Sequence, residues 1–248
     1  MQLPLKPHEF WQELYPPGFF ACEAQTRHSA LYPAVLPDGR QIALPIRALP
    51  GDGRFAVASL IVNQASFVVE EALAWHMIDA VRPFEPEIVV GVPTLGLPLA
   101  HAVARGLGHT RMVALGTSRK FWYDEALSEP LASITSPGHT RNLYLDPRLL
   151  PLLHGKRVAV VDDAISTSRS TAAVVRLLGK AEIAPVVLAY AMLQTTRWRT
   201  GLETLQAGLC RRVRGAFETP LLEAAEDGGW RALDTRRRSR GSVVSATE

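Results

Sequence analysis

The 248-residue sequence is poor in cysteine, with only Cys22 and Cys210. Two cysteines so far apart build neither a disulfide framework nor a clustered metal site, so both are expected to be reduced and structural. No apolar run approaches the roughly 20 residues of a membrane span. The N-terminal stretch MQLPLKPHEFWQELYPP has no basic segment leading into a long apolar one, so the cytoplasm is the expected compartment. Also missing are a G-x-G-x-x-G after an early strand and a Walker A lysine motif, which argues against a dinucleotide-dependent dehydrogenase and a P-loop protein. The seven histidines show no ligand spacing, and no internal repeat is present. What remains is an ordinary globular balance of 47% hydrophobic and 21% charged residues, enough for one sizeable α/β domain. The formal net charge of +3 owes much to Arg236, Arg237, Arg238 and Arg240, so residues 234–248 are expected to form a disordered basic tail rather than a nucleic-acid-binding surface.

Two mostly apolar stretches between Leu31 and Ile46 flank Pro37-Asp38-Gly39-Arg40, a turn-forming cluster that predicts an N-terminal hairpin. From Ala65 to Val81, Phe67, Val68, Leu73, Ala74, Met77, Ile78 and Val81 recur near helical spacing, and Pro83 closes the pattern. His76 within that helix reads as structural. Further on, the short apolar runs Glu87–Val92, Met112–Leu115, Val158–Val161 and Val186–Met192 are bounded by breakers. Helical stretches follow the first from Pro98 to about Gly106 and the third from Thr171 to Leu178. This alternation predicts an open, mainly parallel twisted sheet flanked by helices on both faces, a Rossmann-like α/β fold. Between Gly116 and Pro147 the regularity fails, and a polar, aromatic insert takes over, with Ser118, Arg119, Lys120, Trp122, Tyr123, Asp124, Glu125, His139 and Arg141. So long an irregular insert is usually functional or mobile.

In an open parallel sheet, ligands bind beyond the carboxyl ends of the strands, so the segments after Val92 and Val161 are where polar chemistry is expected. Val158, Ala159, Val160 and Val161 run directly into Asp162 and Asp163, and Ser166, Thr167, Ser168, Arg169, Ser170 and Thr171 then open a helix. Adjacent carboxylates repel one another unless a cation or several hydroxyl donors offset the repulsion. Small hydroxylated residues at a helix N-terminus offer amides and hydroxyls to a phosphate. Together they describe a ribose 5-phosphate site; the bland alternative is an acidic turn capping the next helix.

The segment RVAVVDDAISTSRST, Arg157 to Thr171, resembles the signature of the type I phosphoribosyltransferases: four hydrophobics, two acidic residues, two variable positions, then Thr-Gly-x-Thr or a close variant. The resemblance implies that Asp162 and Asp163 contact the ribose hydroxyls of phosphoribosyl pyrophosphate and hold its Mg2+. It assigns the 5-phosphate to Ser166, Thr167, Ser168, Arg169, Ser170 and Thr171. The segment IVVGVPTLGLPLAHAVARGLG is similar to the family's pyrophosphate-binding strand, loop and helix, which implies that Pro93, Thr94, Leu95 and Gly96 meet the pyrophosphate. In position, the insert matches the family's flexible catalytic loop, with Arg119 and Lys120 as candidate cations for the leaving group. Two residues depart from the pattern: Ser168 stands where glycine is usual, and Leu95 where several members carry a polar or basic residue.

The layout looks closest to the adenine and related purine enzymes. It implies an N-terminal hood over residues 1–60, a core over 61–233 and a homodimer. The acceptor nucleobase would be set by the hood and by the loop bearing Gln194 and Arg197. Trp122 and Trp198 are candidates for stacking on a base, though a large aromatic more often lies in a core or interface. A different class of function also fits: a regulatory protein of the same fold that senses phosphoribosyl pyrophosphate or a nucleotide without turnover.

Overall fold

The computed structural model describes residues 5–23, 26–131, 141–226 and 228–233. His139 of the insert and the arginine-rich stretch from residue 234 onward lie outside the described residues.

Strands β1 (Leu14–Tyr15), β2 (Leu31–Val35), β3 (Gln41–Ala48) and β4 (Phe55–Ala58) precede helix α1 (Phe67–Val81). Then come β5 (Ile88–Gly91), α2 (Gly96–Gly106), β6 (Val113–Ala114) and the short strands β7 (Ser128–Leu131) and β8 (Arg141–Tyr144). The chain continues through β9 (Val158–Ile165), α3 (Arg169–Lys180), β10 (Val187–Gln194), α4 (Trp198–Leu205), β11 (Val213–Thr219), β12 (Leu221–Ala224) and β13 (Trp230–Ala232).

Five strands form one parallel sheet in the order β11-β10-β9-β5-β6. Each central strand sends alternate residues to opposite faces, as the period of two requires. Ala159 and Val161 of β9 join a core with α1 and α2, while Val158 and Val160 join a second core with α3 and α4. Burial on both faces explains why these strands read as continuous apolar runs. From β5 the chain winds outward to β6, whereas from β9 it winds the other way to β10 and β11. The direction of winding therefore reverses between β5 and β9, the place in such sheets where a crevice opens beyond the carboxyl ends.

The expected hairpin is present as β2 and β3, paired from Leu31↔Pro45 to Val35↔Gln41. Strand β3 also pairs with β1 and, through Ile46–Ala48, with β4. The C-terminal strands β12 and β13, which the sequence pattern did not reveal, extend this antiparallel sheet by pairing β12 with β4. A bridge between His28 and Trp230 bends its far edge back toward β2. Residues of this sheet and its β2–β3 turn, including Ala34, Leu36, Ile42 and Leu44, share one core with α1, α2 and the parallel sheet.

Helix α1 begins where Ser66 Oγ accepts the Val69 amide at 3.4 Å, an N-cap. Its apolar spacing was only partly an inward face. Val69, Leu73, Ala74, Met77 and Val81 are buried, but Phe67 is 81% exposed and Val68 62%. Phe67 and Val68 lie on the outward side of the first turn, whose inward side is Val69. His76 is buried, with Nε2 3.3 Å from Asp38 of the β2–β3 turn, in keeping with a structural role.

Leu73→Ala removes a fully buried side chain from the shared core and is expected to cost about 2–5 kcal/mol. Val68→Ala on the same helix is expected to stay within about 0.5 kcal/mol. Urea denaturation of the two variants checks the difference.

Candidate functional site

The two segments singled out in the sequence meet where the winding reverses. Val92 N donates to Val161 O at 3.0 Å, which carries the β5–β9 ladder one residue past β5. The Pro93-Thr94 peptide is cis, and Thr94 is exposed at the turn. Leu95 is half-buried and packs against the first core, so its departure from a polar residue is met by apolar contact. At Gly96 the turn enters α2. A Cβ there would lie 2.7 Å from both Cα and Oδ1 of Asp162 and 3.1 Å from Val161 O. Only glycine permits so close an approach of the two backbones.

The acidic pair does not follow the strand, as the apolar run suggested, but lies inside it. Strand β9 continues to Ile165, with Asp162 opposite Tyr190, Ala164 opposite Met192 and Ile165 opposite Leu193 on β10. Asp162 is buried, and its Oδ1 accepts the Asp163 amide at 2.9 Å. Burial, then the neighbouring Asp163 carboxylate, holds the Asp162 carboxyl well above the usual carboxylate range. Asp163 is partly exposed and is also raised, chiefly by desolvation.

Residues 166–168 form the turn into α3. Ser168, the N-cap, has φ +65° and ψ −7°, the left-handed conformation that glycine adopts freely and serine only at a cost of order 1 kcal/mol. The departure from the family's glycine thus falls on a left-handed residue. Its hydroxyl donates to the Thr167 carbonyl and does not cap the helix. Among the described residues the amides of Arg169, Ser170 and Thr171 in the first turn therefore have no side-chain acceptor, an arrangement suited to an anion. Arg169 and Ser170 are exposed, and Ser166 and Thr167 are partly so. The Thr171 side chain instead turns inward, its hydroxyl 2.7 Å from that of Tyr190. Tyr190, fully buried in the centre of β10, escaped the sequence reading. The signal was a phenol within an apolar strand, because a buried hydroxyl requires a partner.

Within the insert, β7 pairs with β8 as a two-stranded ribbon. Buried Glu129 on β7 pairs with Arg176 and, at 2.9 Å, with Lys180 of α3, which fastens the ribbon to the helix that opens at Ser168. Arg119 lies 3.1 Å from Glu125, both side chains about three-fifths exposed, and Lys120 is exposed. The structure therefore keeps these two cations at the surface. Trp122 donates to Asp146 Oδ2 at 3.2 Å and lies under the Arg148 guanidinium, 4.5 Å from its ring centre. That arrangement, led by the Arg148 hydrogen bonds, lowers the Asp146 carboxyl to about 2. Trp198 is buried and donates to Thr195 O at 3.0 Å, so it serves the core. Gln194, the last residue of β10, donates to Ala58 O at 2.7 Å and joins the antiparallel sheet to the carboxyl edge of the parallel one. Arg197 is exposed just beyond it.

Comparisons with known proteins fit this geometry. A family model described as the phosphoribosyl transferase domain matches residues 59–203, more than half of the chain. A protein of Archaeoglobus fulgidus named transcriptional regulator GfcR is 33% identical over 125 residues, 49% of this chain and 56% of that protein. The match thus spans little more than half the length of that relative. The adenine phosphoribosyltransferase of Giardia lamblia, solved with 9-deazaadenine, superposes with a TM-score of 0.52 at 17% identity, covering 76% of this chain and 93% of that one. The adenine phosphoribosyltransferase of Saccharomyces cerevisiae gives 0.51 at 16% identity, covering 75% and 94%. At such identities the likeness is one of fold. No helix among the described residues is long and apolar enough to cross a membrane.

The raised Asp162 carboxyl has a consequence for stability. A carboxyl whose folded pKa exceeds its unfolded value binds its proton more tightly in the fold, so it favours folding below the unfolded pKa and opposes it as pH rises. Asp162→Asn keeps the Oδ1 acceptor for Asp163 N and removes that opposition. The variant is expected to have a higher Tm than the parent at pH 8 and an equal one near pH 3, as thermal denaturation at the two pH values would show.

Proposed function

The chain belongs to the phosphoribosyl transferase domain family, and from that membership we propose that it transfers ribose 5-phosphate from phosphoribosyl pyrophosphate to a nucleobase nitrogen, releasing pyrophosphate. The observation that carries this reading is the contact of Gly96 with Asp162. It brings the turn after β5 against the acidic pair of β9, whose strand leads through residues 166–168 into α3. A purine acceptor is favoured by the layout, a hairpin ahead of the core and a long insert before β9.

In this reading Asp162 and Asp163 accept the ribose hydroxyls, whose donors offset the repulsion between the two carboxylates. The first-turn amides of α3, with the hydroxyls of Ser166, Thr167 and Ser170, hold the 5-phosphate. Pro93–Gly96 faces the pyrophosphate, and Thr94 adds its hydroxyl. The bond from ribosyl C1 to the pyrophosphate oxygen breaks, its electron pair leaving with the pyrophosphate, as the bond from C1 to the base nitrogen forms and the proton of that nitrogen passes to the pyrophosphate or to water. The intervening oxocarbenium-like state lies beside the carboxylates. Arg119 and Lys120 neutralise charge on the departing pyrophosphate. Arg119 must first leave Glu125, and an exposed pair of this kind is worth only about 0.2–1 kcal/mol.

The donor set suits Mg2+. The carboxylates are hard oxygen ligands that a cation would relieve. Among the described residues no group of three or more His, Cys, Asp or Glu forms a cage of its own. Mg2+ commonly takes one or two carboxylates together with substrate oxygens and water. Bound there by Asp162 and Asp163, it supplies charge neutralisation for the leaving group.

A second reading is favoured by the archaeal relative's name and by the serine at position 168: the site binds phosphoribosyl pyrophosphate or a nucleotide as a signal, without turnover. Against it stands the segment ahead of the core, where β1–β4 leave no helix-turn-helix among the described residues.

Incubation with phosphoribosyl pyrophosphate, Mg2+ and a panel of purines, pyrimidines and orotate should release pyrophosphate with at least one base. Tight binding of the phosphoribosyl compound with no release from any base would replace the enzyme by the sensor. Asp163→Asn is expected to weaken that binding by about 10–100-fold with the fold intact, measured by calorimetry beside a circular dichroism spectrum. For Lys120→Ala, turnover is expected to fall on the order of 10²-fold while substrate affinity changes little. Equal losses in both would remove the leaving-group role.

A further inference from the structure

We propose that Ser168 and Gly201 form a size-matched lock that seats α4 on the phosphate loop, which makes Gly201 a positioning residue for that loop. Two residues look misplaced when taken separately. Ser168 holds a left-handed conformation in which glycine is at ease. Gly201 lies inside α4, where alanine is the better helix former. The contact between them accounts for the glycine in α4 and places it against the strained serine. A Cβ on Gly201 would overlap Ser168 Oγ and come within 3.3 Å of Ser168 Cβ and 3.6 Å of Thr167 O. The space that a side chain would take in α4 is occupied by the side chain of the loop.

On the loop side Ser168 is buried, its hydroxyl donates to the Thr167 carbonyl and caps none of the first-turn amides, and rotating that hydroxyl away would still leave Ser168 Cβ 3.3 Å from the added methyl. On the helix side Trp198 and Leu202 are buried, and Trp198 Nε1 donates to Thr195 O. Helix α4 cannot move off the loop without withdrawing both anchors from the second core. Its entry, residues 195–197, follows directly on Gln194, which is bound to Ala58. One packed path thus runs from the phosphate loop through Ser168, Gly201 and α4 to the edge where the antiparallel sheet meets the parallel one. Ser168 then acts as the support of the cradle, not as one of its ligands.

The ligand named in the test rests on the function proposed above; the contact itself does not. Four variants decide it: Gly201→Ala, Ser168→Gly, the double variant, and Gly179→Ala in α3. Gly179 is a helical glycine with nothing within 4 Å of the position its Cβ would take. Helix propensity alone would make both glycine-to-alanine changes stabilising. The lock predicts that Gly179→Ala raises Tm by roughly 1–4 °C, whereas Gly201→Ala lowers it by about 2–10 °C. Adding Ser168→Gly to Gly201→Ala should restore Tm to the parent value or above. Binding of phosphoribosyl pyrophosphate with Mg2+, followed by calorimetry, should weaken about tenfold in Gly201→Ala, equivalent to ~1.4 kcal/mol, and recover in the double variant.

A rise in Tm for Gly201→Ala, or no rescue by Ser168→Gly, overturns the lock. A lower Tm with unaltered affinity leaves Gly201 structural and overturns its positioning role. If the parent protein binds no phosphoribosyl pyrophosphate, the functional reading fails while the Tm cycle still decides the contact.

Discussion

The start of α2 and the acidic end of β9 approach backbone to backbone, and the rest of the site depends on that contact. Because Gly96 has no Cβ, the turn after β5 rests directly on Asp162. The turn and the carboxylate pair therefore lie side by side at the carboxyl ends of the two strands. The contact exists because β5 and β9 are neighbours with opposite winding beyond them, so no crossover helix fills the space above their ends.

That closeness is bought with buried charge. Asp162 is taken out of water beside a second carboxylate, and nothing in the described protein neutralises the pair. Sites that recognise a ligand commonly hold groups whose ionisation the fold opposes and the ligand rewards. A sugar diphosphate with its cation would bring hydroxyl donors and positive charge to the same place. The left-handed Ser168 is a second, smaller strain at the same crevice, and packing from α4 holds it there.

Around this centre the walls differ in how they are held. The antiparallel sheet shares a core with the parallel sheet and is bound to its edge through Gln194, so it behaves as a fixed wall. The insert is fastened at its base, by Glu129 to α3 and by Trp122 to Asp146, while Arg119 and Lys120 stay at the surface. In the proposed transfer, these cations would reach the leaving group only by movement of the loop about that root. The same features would also serve a sensor that reports occupancy by loop position, which is why the fold leaves turnover to experiment.

The sequence by itself determined the alternation of apolar strands and helices, the hairpin around Pro37–Arg40, and the acidic and hydroxylated stretch from Asp162 to Thr171. Each is written in local terms: a period, a turn chemistry, or a motif of adjacent residues. It also flagged Ser168 as out of place. Only the tertiary structure decided that β5 and β9 are neighbours and that β12 and β13 complete the N-terminal sheet. It alone placed Thr171 against Tyr190 and Ser168 against Gly201, and left Phe67 and Val68 outside the core. Strand order, close approach and burial are pairings between residues far apart in the chain. A local pattern can state what a side chain needs, a partner for the Tyr190 hydroxyl or room beside Ser168, but not which distant residue meets the need.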